Sequence, residues 1–221
     1  MKRAAPWQSE IVGRTLVVLL PEIYRVAGWA PLGGGCARAN AIINHQVELN
    51  DRAATEAPRR YLSELARSLG HDPRRAAAMM TGAKVRDVAK VTLRRGDLIA
   101  SAWCTAGCSN ALRVGDSATV ESMIPGTINL IVAINQPLRD AAMLEAIQIA
   151  TEGRAAAVLD AGVRSTVSGK PATGTGTDCI VIACPDEAPA HDYCGKHTRL
   201  GELIGRVSLT SCSRALAKNS H

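Results

Sequence analysis

The segment ATGTGTD at residues 172–178 leads directly into the apolar run CIVIAC at residues 179–184. Two glycines allow the first segment to turn, and the second has the length and aliphatic content of a buried strand. A second polar cluster, GKHT at residues 195–198, precedes the helical pattern LGELIG at residues 200–205. Reactive side chains at the ends of regular elements are typical of functional sites.

The composition predicts one domain with an aliphatic core. The chain has 221 residues, enough to bury one substantial core, and no linker-like stretch divides it. Hydrophobic residues make up 47% of the chain, but it contains no Phe, three Trp and three Tyr. We therefore expect a single domain over residues 1–221, with a core of Ala, Val, Ile and Leu.

Hydrophobic patterning predicts strands and helices in mixed order. The expected strands cover residues 14–20, 24–29, 40–47, 97–104, 127–135 and 179–184. The expected helices cover residues 58–69, 73–80, 139–161 and 200–217. Because these elements do not alternate as regular βαβ units, we expect an α+β fold in which a mixed β-sheet is layered with helices.

Polar residues interrupt two of these elements. In the long aliphatic helix, Glu145, Gln148 and Glu152 share one face, which is either solvated or lines a cavity. In the strand at residues 40–47, Asn44 and His45 are either cross-strand partners or catalytic groups.

The charge distribution argues against a nucleic-acid partner. The formal net charge is +6, but the arginine pairs at 59–60, 74–75 and 94–95 are scattered and have no aromatic residues between them. We expect these side chains to be solvated, with a weak surface for anionic partners as the alternative.

Cysteine usage and hydropathy predict a cytoplasmic protein that does not associate with a membrane. Seven cysteines, an odd number, occur without a secretion signal, which favours a reducing compartment. The apolar run at residues 15–21 is too short to cross a bilayer. We expect no metal site, although ligation through Cys104 and Cys108 is a weak alternative.

The loop at residues 172–178 has the composition of an anion-binding loop. Its glycines allow backbone N–H groups to converge, and its threonines add hydroxyl donors, so it could hold an anion or the oxyanion of a tetrahedral intermediate. The spacings of a Walker A loop and of a dinucleotide fingerprint are absent. A tight turn without chemistry is the alternative.

Asp178 and His197 are the titratable candidates beside these loops. Asp178 could orient a histidine or act as a general base, and His197 lies at a predicted helix start, where it could serve as an acid, a base or a substrate ligand. His45, His191 and His221 are weaker candidates.

Asn110, Arg113 and Asp116 follow one another at three-residue intervals. On one helical turn their amide, guanidinium and carboxylate groups would share a face. Such a set would either position a loop or contact substrate.

An ordered set of motifs resembles the adenosylcobinamide amidohydrolase family. The matching stretches are PLGGG at 31–35, MMT at 79–81, TAG at 105–107, NALR at 110–113, GD at 115–116, PGTIN at 125–129, SG at 168–169, the loop at 172–178, GKHT at 195–198 and LGE at 200–202. They span nearly the whole chain in order.

The resemblance implies hydrolysis of the amide that joins a propionyl side chain of the corrin ring to aminopropanol. The products would be adenosylcobyric acid and 1-aminopropan-2-ol, in corrinoid salvage. The implied partner is adenosylcobinamide or a related corrinoid, and no cofactor is expected because the cobalt arrives within the substrate. The resemblance does not determine whether the protein forms a homo-oligomer.

Some positions depart from the pattern expected for the family. Gly153 and Arg154 stand where we expect Ala and Lys, and a glycine inside a helix costs about 1 kcal/mol relative to Ala. Cys36, Cys108 and Cys179 replace small or aliphatic residues. The polar motif residues are intact.

Amide hydrolysis needs a nucleophile, a polarised carbonyl and a proton for the departing amine. Our hypothesis is that His197 or Asp178 activates a water and protonates the amine, while residues 173–177 and Asn110 stabilise the oxyanion. The main alternative is a threonine nucleophile, Thr175 or Thr177. The expected substrate-binding residues are Gly34, Gly35, Asn110, Arg113, Asn129, Thr173 and Lys196.

Two other classes of function compete with this hypothesis. A corrinoid carrier would bind cobinamide without consuming it. An anion- or nucleotide-binding enzyme would use the Gly/Thr loop instead, although the missing fingerprints count against it.

Overall fold

The computed structural model describes residues 5–48, 51–118 and 126–218. The strands in these ranges are β1 (Gln8–Val12), β2 (Thr15–Gly28), β3 (Gly35–Gln46), β4 (Ala76–Thr81), β5 (Ala89–Arg95), β6 (Leu98–Ala106), β7 (Ala111–Leu112), β8 (Ile128–Ile134), β9 (Gly174–Thr175) and β10 (Cys179–Pro185). The helices are α1 (Arg52–Glu56), α2 (Pro58–Ser68), α3 (Asp140–Asp160) and α4 (Arg199–Lys218). Pro125 and His221, named in the sequence analysis, lie outside the described residues.

One large mixed sheet organises the molecule. Its strand order is β4-β3-β2-β10-β8-β6-β5, and β1 pairs with β2. The β3–β4 and β8–β10 pairs are parallel, whereas the other pairs are antiparallel. The predicted α+β fold with a mixed sheet and covering helices is confirmed. The two strands predicted at 14–20 and 24–29 are a single strand, β2, with an irregularity between Leu19 and Tyr24.

The sheet curls so that its two halves face each other. Along β8, Leu130 packs toward α3 and α4, whereas Ile131 packs into an inner layer that also contains Ile42 of β3. On the outer side of β3, Ile43 packs with Leu62 of α2. Because side chains alternate along each strand, both faces of each half of the sheet are packed. Four layers result: helix α2, the half formed by β2, β3 and β4, the half formed by β5, β6, β8 and β10, and the helices α3 and α4.

The helix predicted at residues 73–80 is wrong. A 3₁₀ turn at Pro73–Arg75 is followed by strand β4, parallel to β3. Alternate β4 residues serve different layers, because Met79 packs in the inner core and Ala78 packs against α2. The helix propensity of the Ala- and Met-rich sequence is overridden by this two-sided burial.

The polar stripe of α3 binds the loop that precedes α4. The carboxylate of Glu145 accepts a hydrogen bond from the backbone N–H of Cys194. The carboxylate of Glu152 accepts from Lys196 Nζ at 2.6 Å and from Gln148 Nε2 at 3.0 Å. The stripe therefore holds this loop in place.

Gly153 is the point of close contact between α3 and α4. A Cβ atom at this position would lie 3.0 Å from Ser208 Cβ and 3.2 Å from the Gly205 carbonyl oxygen. A backbone oxygen of a packed helix cannot move away without shifting the helix. The glycine inside α3 therefore has a packing reason that offsets its low helix propensity.

We expect Gly153→Val to lower the free energy of unfolding by about 2 kcal/mol, because the added branches overpack the α3–α4 contact. Urea denaturation would measure the change. Ala141→Val, at an exposed position of α3, is the control and should cost less than about 0.7 kcal/mol. Equal losses in the two variants would contradict the packing argument.

Candidate active site

A cavity of about 400 Å³ opens where β4 ends and where β8 and β10 begin. It lies at one end of the inner layer between the two halves of the sheet. Its lining residues are Trp29, Pro31, Val47, Glu48, Ala54, Thr55, Pro58, Met79, Met80, Thr81, Gly82, Asn110, Gly126, Thr127, Thr177, Asp178 and Cys179. Most of this lining is apolar. Thr127, Thr177 and Asp178 form a polar end where β8 and the 172–178 loop meet, and Glu48, Thr55 and Thr81 are polar groups elsewhere in the lining.

Two threonine hydroxyls contact the carbonyl oxygen of Gly126, and a third contacts one of them. Thr177 Oγ1 lies 3.0 Å from this oxygen and Thr175 Oγ1 lies 3.2 Å from it. Thr127 Oγ1 is 2.7 Å from Thr177 Oγ1, so Thr127 can donate to Thr177 while Thr177 donates to Gly126. Beside them, the buried Oδ1 of Asn110 has no hydrogen-bond partner among the described residues.

Asp178 is the anion that the Gly/Thr loop holds. Its Oδ1 accepts from Thr175 Oγ1 at 2.5 Å and from the Ile128 N–H at 2.9 Å. Its Oδ2 accepts from the Thr175 N–H at 2.9 Å and pairs with Arg154 Nη1 at 2.8 Å. One backbone N–H and one hydroxyl of the loop, both from Thr175, thus bind a carboxylate of the loop itself.

Arg154 reaches the loop from α3. Its side chain is 12% exposed and that of Asp178 is 5% exposed, so the ion pair is buried. Arg154 Nη2 also lies 3.4 Å from the Thr173 carbonyl oxygen. The planar guanidinium can contact the carboxylate and the loop backbone together, which an ammonium on a flexible stem does less well.

A buried polar network lies beneath the cavity. Asn129 Nδ2 of β8 donates to Asn44 Oδ1 of β3 and to the Met80 carbonyl oxygen, each at 2.8 Å. Asn44 Nδ2 in turn donates to Thr105 Oγ1 at 2.9 Å. Asn129, predicted as a substrate-binding residue, is 1% exposed and joins the two halves of the sheet.

His45 takes part in a separate contact. Its Nδ1 lies 2.8 Å from Oγ1 of Thr15, its register partner on β2, and its Nε2 lies 3.0 Å from Tyr61 Oη. Burial, together with the charge of Arg14, lowers the pKa of His45. The cross-strand alternative for His45 is confirmed.

Asn110, Arg113 and Asp116 do not lie on one helical turn, so their side chains do not share a helical face. Residues Ala111–Leu112 form β7, which pairs with β9, and Gly115 adopts a φ of +90° in the following turn. Asp116 accepts from the Arg113 N–H at 2.8 Å and from Ser165 Oγ at 2.5 Å. Residues 111–116 therefore form a short strand followed by a turn that the Asp116 carboxylate closes.

Four other predicted binding residues line two concave sites next to the main cavity. Thr173 and Arg113 line a smaller cavity of about 340 Å³ on the far side of Asp178, and Arg113 Nη1 donates to the Pro171 carbonyl oxygen at 2.8 Å. Gly34 and Gly35 line a groove of about 580 Å³ that shares Trp29 and Pro31 with the main cavity.

His197 lies on an exposed turn before α4. Its neighbour Lys196 binds Glu152, whereas Asp178 binds Arg154, two residues further along α3. Residues two apart point to opposite faces of a helix, so Lys196 and Asp178 lie on different sides of α3. His197 is not one of the described residues that line the main cavity.

Burial keeps the thiols beside the cavity protonated. Desolvation, reinforced by the charge of Asp178, raises the pKa of Cys179 to about 12 and that of Cys108 to about 11. A thiol is a poor nucleophile compared with its thiolate. Cys108 and Cys179 therefore hold little thiolate near neutral pH.

A family model described as adenosylcobinamide amidohydrolase matches residues 4–221. The chain belongs to this family. It is therefore a hydrolase that acts on an amide carbon–nitrogen bond. The resemblance seen in the ordered motifs is confirmed.

Curated relatives agree with the family assignment. An adenosylcobinamide amidohydrolase of Halobacterium salinarum is 28% identical over 183 residues, covering 79% of this chain and 74% of the relative. One from Methanosarcina mazei is 28% identical, covering 78% and 80%. An uncharacterised protein of Methanocaldococcus jannaschii is 32% identical, covering 72% and 69%.

Solved structures show a more distant likeness. The L-aminopeptidase D-Ala-esterase/amidase of Ochrobactrum anthropi has a TM-score of 0.44 and 11% identity. A β-aminopeptidase of Burkholderia sp. has a TM-score of 0.46 and 13% identity. Each alignment covers 97% of this chain and 82% of the other. The fold description rests on the strand pairing and layers given above.

Sequence reasoning missed three residues of this family member's site. The sequence marks Arg154 as a departure from the expected lysine but does not indicate its partner. The strand pattern places Trp29 at the end of a strand, and its position beside the glycine-rich motif is a signal for a surface contact. Thr127 lies within the PGTIN motif, and its hydroxyl joins Thr177 only through the fold.

We expect the Arg154–Asp178 pair to be strongly coupled, because removing one partner leaves the other charge buried. Arg154→Met and Asp178→Asn should each lower the free energy of unfolding by about 3 kcal/mol. The double variant should lose less than the sum by about 2 kcal/mol in a urea denaturation cycle.

The matched control is the exposed pair formed by the neighbouring Glu152 and Lys196. Its cycle, with Glu152→Gln and Lys196→Met, should give a much smaller coupling than the buried pair, because solvent screens an exposed ion pair. Additive losses at Arg154 and Asp178 would show that the buried contact does not hold the loop.

Proposed function

We propose that this protein hydrolyses the amide that links a propionyl side chain of the corrin ring to aminopropanol in adenosylcobinamide. The products are adenosylcobyric acid and 1-aminopropan-2-ol, and the reaction serves corrinoid salvage. The observation that carries the proposal is the hydrogen-bonded group of Thr127, Thr177, Asp178 and Thr175 in a chain of this family. Thr127, Thr177 and Asp178 line the cavity, and Thr175 lies directly behind Asp178 and Gly126, where it also lines the smaller cavity.

The size of the cavity decides which part of the substrate enters it. A volume of about 400 Å³ suits an amide-bearing side chain and is too small for a corrin macrocycle with its adenosyl ligand. The aminopropanol arm therefore enters between the halves of the sheet, and the ring remains at the mouth. The apolar walls shield the amide from bulk water.

Thr175, Asp178 and Arg154 have the arrangement of an activated nucleophile. The Thr175 hydroxyl lies 2.5 Å from Asp178 Oδ1, and Arg154 fixes the other carboxylate oxygen. A nucleophile hydrogen-bonded to a base that a third group orients is the recurring pattern of acyl-transfer enzymes. Thr177, Thr127 and Asn110 are placed to bind the amide at the cavity end.

The proposed reaction has two halves. Thr175 Oγ attacks the amide carbon while its proton passes to Asp178, which then protonates the departing aminopropanol nitrogen as the C–N bond breaks. Water then attacks the resulting ester, giving one proton to Asp178, which returns it to Thr175 Oγ. The cobalt travels within the substrate and takes no part in these steps.

Incubation with adenosylcobinamide, followed by mass spectrometry, should detect both products. Thr175→Ala and Asp178→Asn should lower kcat by about 10³-fold while circular dichroism shows a folded protein, because each removes a partner of the proton transfer. Thr175→Ser keeps a hydroxyl and should retain activity.

The control is Thr166→Ala, which removes an exposed hydroxyl outside the cavity and should leave kcat unchanged. If Thr175→Ala keeps full activity and Asp178→Asn loses it, water activated by Asp178, rather than Thr175, is the nucleophile. Loss in His197→Ala alone would restore the histidine hypothesis. Corrinoid binding without product would indicate a carrier.

A further inference from the structure

Trp29 is an exposed aromatic held in a fixed position at the cavity mouth. Its side chain follows directly after β2 and is 47% exposed, whereas Trp7 and Trp103 are 3% and 1% exposed. Its Nε1 donates to the Asp178 carbonyl oxygen at 2.6 Å. The polar atom of the indole is therefore satisfied, and its apolar surface remains open to solvent.

Trp29 lies between two concave surfaces and lines both of them. It lines the cavity that contains Thr177 and Asp178, and it also lines the neighbouring groove at the glycine motif of residues 33–35. Along this motif, a Cβ on Gly33 or Gly34 would collide with backbone atoms of Ala76 or Ala30. Gly33 and Gly34 therefore pack closely on backbone and contribute no side chains beside the indole, while Arg38, Arg59 and Arg74 line other parts of the same groove.

We propose that Trp29 is the stacking platform for the planar ring system of the substrate, which lies across the indole and the glycine motif. This inference rests on the proposed function, because it concerns the part of the same substrate that stays outside the cavity. Extended π-systems stack on tryptophan faces, and such a contact needs no hydrogen bond from the ring. The corrinoid is thus held by its face at Trp29 and by its arm in the cavity.

The hydrogen bond to Asp178 links ring binding to the reacting atoms. The indole is bonded to the backbone of the residue whose carboxylate contacts Thr175. A ring stacked on Trp29 therefore brings the attachment point of its amide side chain close to Asp178. Trp29 acts as a substrate-binding residue that sets the register of the amide.

The test compares Trp29→Ala, Trp29→Phe and Tyr193→Ala. Tyr193 is an aromatic residue that is 72% exposed and does not line the main cavity, so it is the matched control. Two quantities are measured: KM for adenosylcobinamide, and Kd for adenosylcobyric acid, which keeps the ring and lacks the aminopropanol arm. Trp29→Ala should raise both by about tenfold, a size typical of losing one aromatic stacking contact.

Trp29→Phe keeps a stacking face and should restore both constants to within about threefold of wild type, since a smaller ring retains most of the contact. Unchanged Kd and KM in Trp29→Ala, or values equal to those of Tyr193→Ala, would overturn the proposal. So would a Phe variant as weak as the Ala variant, because the hydrogen bond to Asp178 would then be the important feature.

The two constants separate this inference from the proposed function. If wild type binds adenosylcobyric acid but does not cleave adenosylcobinamide, the hydrolysis fails, and the Kd values of the variants still decide the role of Trp29. If wild type binds no corrinoid, both proposals are overturned.

Discussion

The buried ion pair between Arg154 and Asp178 is the constraint on which the site depends. A carboxylate taken out of water must be paired and hydrogen-bonded, and Asp178 meets this demand with donors from α3, from the start of β8 and from its own loop. Three elements distant in sequence are thereby fixed at one point. Gly174 is part of the same arrangement, because a Cβ there would occupy the space of the Asp178 carboxylate.

The curled sheet explains why a polar site can lie at the end of an apolar layer. The inner layer is aliphatic over most of its length, and its polar members Asn44, Thr105 and Asn129 bond to one another across the two halves. Such a network is tolerated in a core because its members supply partners to each other. It also anchors β4 through Met80, so the wall of the cavity is joined to its floor.

Most of the fold was predictable because it follows from local periodicity. The strand at 179–184 and the helices at 139–161 and 200–217 have apolar runs that few other structures could bury. β4 was not predictable, because Ala and Met favour a helix and only contact with two layers makes the segment a strand. The site was predictable in part: the polar loop marked Asp178, but periodicity does not reveal that Arg154 of a different element meets it.

The Asp178 carboxylate, which orders the loop, also affects which neighbouring side chains can act as nucleophiles. Besides the dominant effect of burial, the Asp178 carboxylate raises the pKa of Cys108 and of Cys179, its neighbour in sequence. A second anion beside Asp178 would have to share the single cation of Arg154. Burial, with a smaller contribution from the Asp178 charge, therefore disfavours a thiolate at Cys108 and Cys179. The same carboxylate accepts a hydrogen bond from the Thr175 hydroxyl. A site built in this way is suited to oxygen nucleophiles, with Cys108 and Cys179 packed as small apolar side chains in or against the core.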